Sequence, residues 1–279
     1  MTLPPGAEDV RRVGGGDINE AFRLRLGDGR VAFVKTRRET VPGEYAAEAS
    51  GLLWLAEPGL LRTPAVLEVH EEYLALEWIE PGRLTEQGAE ELGRALAGTH
   101  LAGAAAFGAP PGTPVETGFG SLRLGNEPAS DWPAFYGSER LRPLAGKALE
   151  RGALSARGAD AVERLCDGLS ELTGPPEPPA RLHGDLWSGN VMADAQGRPW
   201  LIDPSCYGGH REMDLAMLRL FGAPSERIFD AYEEVHPLSE GWEERVELCQ
   251  LAPLLVHAVL FGGSYGPAAE RVAARYAAS

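Results

Sequence analysis

The 279-residue chain predicts an α+β fold of two lobes, a small β-rich lobe with one helix followed by a larger helical lobe. Three observations lead there. Up to about residue 80, apolar residues come in short runs rich in β-branched and aromatic side chains, set off by glycine turns. Beyond residue 82 they recur at helical spacing. Between the two patterns stands Pro81-Gly82, a pair that breaks either kind of element. The expected division is therefore 1–80 and 81–279.

The elements follow in order. Ala21 to Leu26 alternates apolar and charged, Gly27-Asp-Gly29 turns the chain, and Val31 to Thr36 returns as a second strand with Lys35 near its end. Upstream, Gly14-Gly-Gly16 could let backbone amides approach phosphate groups. Pro42 to Glu57 reads as a helix that stops at Pro58-Gly59, with Tyr45, Leu52 and Leu55 on a face beside Glu48. Ala65 to Val69 and Tyr73 to Ile79 form a further hairpin. Past the linker, Thr85 caps a helix to about Ala102, and Asp131 to Arg151 and Ala156 to Thr173 read as two more. Gly174 to Pro179 is a proline-rich break. Helices over 211–221, 225–235, 241–261 and 267–278 complete the second lobe.

Composition narrows the function classes. Apolar content of 44% and charged content of 24% are ordinary for a globular protein, and a formal charge of −15 argues against a nucleic-acid partner. The longest apolar stretch, near Leu251 to Phe261, contains His257 and falls short of the about 20 residues that span a bilayer, so no membrane partner is expected. Three cysteines, widely separated, fit neither a disulfide framework nor a metal ribbon, and a cytoplasmic setting is expected. Only two residues are lysine, Lys35 and Lys147, in a chain that otherwise uses arginine.

The chemistry is concentrated in His183-Gly-Asp-Leu-Trp-Ser-Gly-Asn190 and, thirteen residues on, Asp203. Val191 to Ala193 reads as a strand, Asp194 to Gly197 as its turn and Pro199 to Ile202 as the returning strand, so a hairpin brings Asn190 and Asp203 to one end. Phosphoryl transfer needs a carboxylate to take the proton of the attacking hydroxyl, and oxygen ligands for Mg²⁺. Asp185 fits the first role, Asn190 and Asp203 the second. Any one of these residues beside glycine is ordinarily a turn residue, but the three together at this spacing favour an ATP- and Mg²⁺-dependent kinase. Lys35 on a strand and Glu48 on the next helix then fall into place as an ion pair at the ATP phosphates. Glu77, Trp78 and Ile79 are where a linker would offer backbone groups to adenine.

These motifs, with Leu201-Ile-Asp-Pro204, Tyr207 to Met217, Phe221-Gly222 and Phe261 to Tyr265, resemble the fructosamine kinase (ketosamine 3-kinase) family, relatives of the aminoglycoside and choline kinases. The resemblance runs over nearly the whole chain. It implies a protein-kinase-like fold, Asp185 as catalytic base, Lys35 and Glu48 at the phosphates, the Glu77 to Ile79 backbone around adenine, and Asn190 and Asp203 as magnesium ligands. It implies further that Asp214 braces the catalytic loop, and it makes Trp187, Tyr207 and His210 candidates for sugar contacts. The implied reaction is phosphorylation at O3 of a free or protein-bound ketosamine, after which phosphate can leave by elimination and release the amine. The competing readings are a kinase of an aminoglycoside or choline-like metabolite, and a nucleotide-binding module without activity; the latter usually lacks one of Lys35, Asp185, Asn190 and Asp203. Two departures stand out. Gly120 to Gly125 differs from the family's usual segment, which opens the choice of sugar, and the glycine loop has no cysteine, which removes a thiol switch there. Pro204 after Asp203 fixes φ where protein kinases have a mobile Phe-Gly, so constitutive activity is expected.

Overall fold

The computed structural model describes residues 2–14, 20–37, 41–113, 116–119 and 122–278. An antiparallel five-stranded sheet opens the chain: β1 (Glu8–Val13), β2 (Glu20–Arg25) and β3 (Val31–Thr36), then, after helix α1 (Glu44–Ala56), β4 (Val66–Val69) and β5 (Tyr73–Glu77), in the order β1-β2-β3-β5-β4. Alternation puts Phe22, Leu24, Val34 and Ala75 into one small core, while Leu74 and Leu76 meet Tyr45, Ala49 and Leu52 of α1 on the other face. Strand β1 was not expected from the sequence, because Glu-Asp-Val-Arg-Arg-Val is exposed along its length and carries no apolar alternation. As the edge of the sheet it is held by pairing to β2 alone.

The second lobe begins with α2 (Glu86–Ala102), whose N-cap is Thr85, its hydroxyl accepting from Gly88 N at 3.0 Å. A hairpin, β6 (Glu116–Phe119) and β7 (Leu122–Gly125), follows, then a continuous helical stretch of α3 (Trp132–Phe135), a π-helical segment (Tyr136–Leu141) and α4 (Arg142–Glu150). The expected single helix from 131 to 151 thus exists with a π turn inside it, capped by Asp131. Gly168 divides the next into α5 (Ala156–Asp167) and α6 (Leu169–Leu172). Strand β8 (Ala180–Leu182) pairs with the later β11 (Tyr207–Gly209), and between them lies the expected hairpin of β9 (Val191–Ala193) and β10 (Pro199–Leu201). Helices α7 (Glu212–Leu220), α8 (Arg227–Val235), α9 (Trp242–Phe261) and α10 (Tyr265–Tyr276) complete the lobe.

Two cores lie in this second lobe, and one of them takes in residues of the smaller lobe as well. Leu55 and Leu61 join Leu92, Leu96, Leu201 and Leu215 in one buried cluster, so the end of α1 is seated on α2 and α7. The linker is tied down too: Gly82 N donates to Ala193 O at 2.8 Å. Both contacts fix the sheet over the β9–β10 hairpin, where the acidic motif of the sequence sits.

Candidate active site

The turn that presents Asp185 is built on a glycine and a buried carboxylate. Gly184 has φ +82°, and a Cβ there would meet Ser205 O at 2.0 Å, so both the backbone angle and the space demand glycine. Asp214, at the start of α7, accepts from the backbone N–H groups of His183 at 2.8 Å and Gly184 at 2.9 Å. Its third partner is His100 Nε2 at 3.3 Å, and His100 Nδ1 lies 2.8 Å from the Tyr232 hydroxyl. Burial works to raise the Asp214 carboxyl, but His100 and these donors outweigh it and hold it low, as an anion. His183 completes the frame. Its Nε2 donates to Ile202 O at 2.9 Å while Nδ1 accepts from Asp185 N at 3.3 Å, which ties the Asp185 loop to the residue before Asp203.

Asn190 closes a 3-10 turn after that loop, and its Nδ2 donates to Asp185 O at 2.8 Å and Asp185 Oδ2 at 3.1 Å. That bond fixes the amide, so Oδ1 is turned away from the carboxylate. Asp203 has φ +52°, a left-handed conformation uncommon outside glycine, at the end of the hairpin. Its Oδ1 stands 3.0 Å from Lys35 Nζ, and Lys35 is also paired with Glu48 of α1. Burial opposes the Lys35 charge, yet Asp203 and Glu48 together outweigh it and hold the ammonium protonated. Asp185 is pushed up to about 7, by burial first and then by the charge of Asp203, with the Asn190 bond pulling the other way. The structure therefore brings Lys35, Glu48, Asp185, Asn190 and Asp203 to one place, from a strand, a helix, a loop and a hairpin.

The other expected residues divide. Gly14 directly follows β1; Gly15 and Gly16 lie outside the described residues, as does the start of the divergent 120–125 segment. Glu77 ends β5, and its carboxylate accepts from Ala65 N at 3.2 Å. Trp78 and Ile79 stand just past the strand, the Trp78 indole donating to Glu80 at 2.9 Å with the Arg23 guanidinium 5.4 Å over its ring. Trp187, 38% exposed, lies edge-on to Phe221 beside the Asp185 loop. Tyr207 is buried and lines a cavity that reaches Asp185. His210 does not go there. It is buried 3.8 Å from Glu177 and against the Trp132 ring, because the chain turns into α7 past the β8–β11 pair and carries it away from the Tyr207 side.

That cavity, open to solvent, lies between the Asp185 loop and the helices of the second lobe, and most of its lining was not legible in the sequence. Asp185, Gly184 and Tyr207 line it together with Leu124 of β7, Leu144 of α4, Met213 and Met217 of α7 and Val256 of α9. Arg140, from the π-helical segment, is its buried cation. These residues come from five separated stretches of chain, and only their motif neighbours carry a local signal.

The donor set suits magnesium. Among the described residues no cluster of three or more His, Cys, Asp or Glu could hold a metal alone. The Asn190 amide oxygen and the Asp203 carboxylate are hard oxygen donors, the kind Mg²⁺ takes in small number alongside phosphate oxygens. Among the described residues, also, no helix is long and apolar enough to cross a membrane.

Comparison with known proteins gives a consistent answer. The family model for fructosamine kinase matches residues 4–279. The chloroplastic protein-ribulosamine 3-kinase of Arabidopsis thaliana is 35% identical over 264 residues, 92% of this chain and 78% of that one. A crystal structure from Thermobifida fusca, given provisionally as a fructosamine-3-kinase, superimposes with a TM-score of 0.89 at 42% identity, over 98% of this chain and 94% of that one. The choline kinase of Streptococcus pneumoniae, at 17% identity, shares the fold alone, with a TM-score of 0.63 over 98% of this chain and 94% of that one. The architecture is thus the two-lobed protein-kinase-like fold, with a small antiparallel sheet and a helical second lobe, and the chain belongs to the fructosamine kinase family.

Proposed function

We propose that this protein is an ATP- and Mg²⁺-dependent ketosamine kinase that phosphorylates O3 of the sugar carried by a glycated amine. The observation that carries the reading is the convergence of Asp185 with Asn190, Asp203 and the Lys35–Glu48 pair, beside a solvent-open cleft lined by Gly184, Asp185 and Tyr207. Asp185 takes the proton from the attacking hydroxyl, and Asn190 keeps its carboxylate oriented. Lys35, held charged by Glu48, meets the phosphates of ATP. Asn190 Oδ1 and Asp203 would hold Mg²⁺, whose charge neutralises that developing on the transferred group. Backbone groups of Glu77 to Ile79 take adenine, and the Asp214 brace keeps the His183-Gly184-Asp185 turn from relaxing.

A phosphate at O3 explains release of the amine in solution. Loss of a proton from C1 forms a C1=C2 enaminol, its electrons expel phosphate from C3, and water hydrolyses the resulting imine to free the amine. Activity in the cytoplasm on free or protein-bound acceptors would make this a deglycation step. The test is ATP consumption by the purified protein with ribulosyl-lysine, fructosyl-lysine, kanamycin and choline in parallel. Turnover of a ketosamine, followed by slow appearance of inorganic phosphate from the product, is expected; turnover of kanamycin or choline with none of the ketosamines overturns the substrate assignment.

A further inference from the structure

Helix α1 carries Glu48 but does little to hold itself in place. Its N-cap, Gly43, makes no side-chain bond, and its last turn has no basic residue to meet the carbonyls of a helix end. Trp54 O has a further lack: its intrahelical donor would be residue 58, which is proline and has no N–H. The missing donor comes from the other lobe. Arg181, on β8, sends Nη1 to Trp54 O at 2.6 Å and to the Glu57 carboxylate at 2.5 Å, with its guanidinium 4.7 Å over the Trp54 ring. Its Nε donates to Gly103 O at 3.3 Å, at the end of α2. One planar fork, its side chain 12% exposed, thus ties the C-terminus of α1 to the second lobe.

A second tie lies nearer Glu48. Glu48, Gly51 and Leu55 fall on one face of α1 in successive turns. Gly51 rests on the chain that follows Asp203: the Cys206 thiol donates to Gly51 O at 3.5 Å, and a Cβ on Gly51 would stand 3.1 Å from Cys206 Sγ and 3.4 Å from Pro204 Cγ. Leu55 then enters the buried cluster that includes Leu186 and Leu201. Arg181 lies just before His183, and Cys206 just before β11, the partner of β8. The two residues therefore bracket the segment that carries Asp185, Asn190 and Asp203.

We propose that Arg181 and Cys206 are positioning residues for the nucleotide site: they seat α1 on both ends of that segment, so that Glu48 holds Lys35 at a fixed place relative to Asp203. This rests on the kinase reading above. The direct contact of Lys35 with Asp203 cannot do the same work, because metal and phosphates would stand between them. Once those are in place, the register of the ammonium depends on Glu48, and Glu48 on the seat of its helix. Displacing such a group by about 1 Å can cost on the order of a hundredfold in function.

The experiment is calorimetric titration of the whole protein with ATP and Mg²⁺, for Arg181→Met and Arg181→Lys, each with Glu48 intact and with Glu48→Gln. Arg181→Met is expected to weaken ATP about five- to thirtyfold with Glu48 intact and less than about twofold in the Glu48→Gln background, since the lost register acts through Glu48. Arg181→Lys keeps a cation at the helix end and should return to within about threefold of wild type. A merely structural Arg181 would lower the stoichiometry of binding and the melting temperature and leave Kd unchanged; that result overturns the proposal, as does equal weakening in both backgrounds. Gly51→Ala pushes the same helix from its middle and decides the matter if Arg181→Met does not fold. It should weaken ATP by several-fold, and Cys206→Ala in the same chain should restore it by vacating the space that the new methyl needs. Weakening that Cys206→Ala leaves in place overturns the seat. Binding needs no acceptor, so failure of every ketosamine would sink the substrate assignment and leave this test standing, whereas wild type that binds no ATP overturns both.

Discussion

As the proposed base, Asp185 would have to be basic enough to take a proton, and yet it is kept where a charge is unwelcome. Burial and Asp203 push it up to about 7, so at pH 6 the folded protein holds much of it protonated and idle. Acceptor turnover at low substrate should rise with pH through about 7 and then level; a flat pH–rate profile from 5 to 9 counts against Asp185 as base. Asp185→Asn keeps the shape and the Asn190 contact but cannot accept the proton, and should cost about 10²- to 10⁴-fold in kcat with nucleotide binding retained. The same substitution carries a stability signature with a definite sign. The carboxyl is raised in the folded state relative to about 3.9 in the unfolded chain, so its contribution is complete below that value and is lost as pH climbs through about 7. The amide that replaces it does not titrate. The melting temperature of Asp185→Asn should therefore exceed that of wild type by a few degrees at pH 8, with the gap narrowing as pH falls toward about 4. A gap that widens toward acid overturns the assignment of the shift.

Elements decide how much of this was legible beforehand. The β9–β10 hairpin, the β2–β3 hairpin and α2 with its Thr85 cap could be read locally, since each is specified by neighbours in sequence: a turn, an alternation, a capping hydroxyl. Asp185, Asn190, Asp203, Lys35 and Glu48 were legible for the same reason, as spacings along the chain. What could not be read was set at long range. The β8–β11 pair joins residues across the catalytic loop, and it is this pair that turns Tyr207 toward the cavity and leaves His210 in the interior. The Asp214 brace reaches His100 on α2, which in sequence is one histidine at a helix end. The π turn that carries Arg140 has no periodic signature at all. Packing of α2 on α8 is equally invisible until seen: a Cβ on Gly93 would stand 2.2 Å from Ile228 O and 2.9 Å from Ala231 Cβ. Gly93→Ala should therefore push α8 off α2 at a cost of about 1–3 kcal/mol, despite alanine's better helix propensity. Thermal melting measures it, and a variant as stable as wild type would show that the two helices can part without loss.

Across the whole molecule, the two lobes meet in charge as well as in the Leu55–Leu61 cluster. Lys35 comes from the sheet and Asp203 from the hairpin of the other lobe, and their contact at 3.0 Å spans the cleft where nucleotide is proposed to bind. Arrival of Mg²⁺ and phosphates would separate the two, giving Asp203 a metal and Lys35 an oxyanion, each a stronger partner than the other residue. The two deletions should then differ in kind. Lys35→Ala removes a cation from the phosphates and leaves Glu48 buried without its partner, whereas Asp203→Ala removes a metal ligand but also the negative charge that lifts Asp185. Both should lower kcat/KM for ATP by about 10²- to 10³-fold. Only Asp203→Ala should recover in part as Mg²⁺ is titrated upward, because mass action can refill a weakened metal site and cannot supply a missing ammonium. Its pH–rate midpoint should also move below that of wild type, since the neighbouring charge is gone. Equal indifference of the two variants to magnesium, with the same midpoint in both, would mean that Asp203 neither holds the metal nor sets the base, and that the contact across the cleft serves only to keep the lobes together.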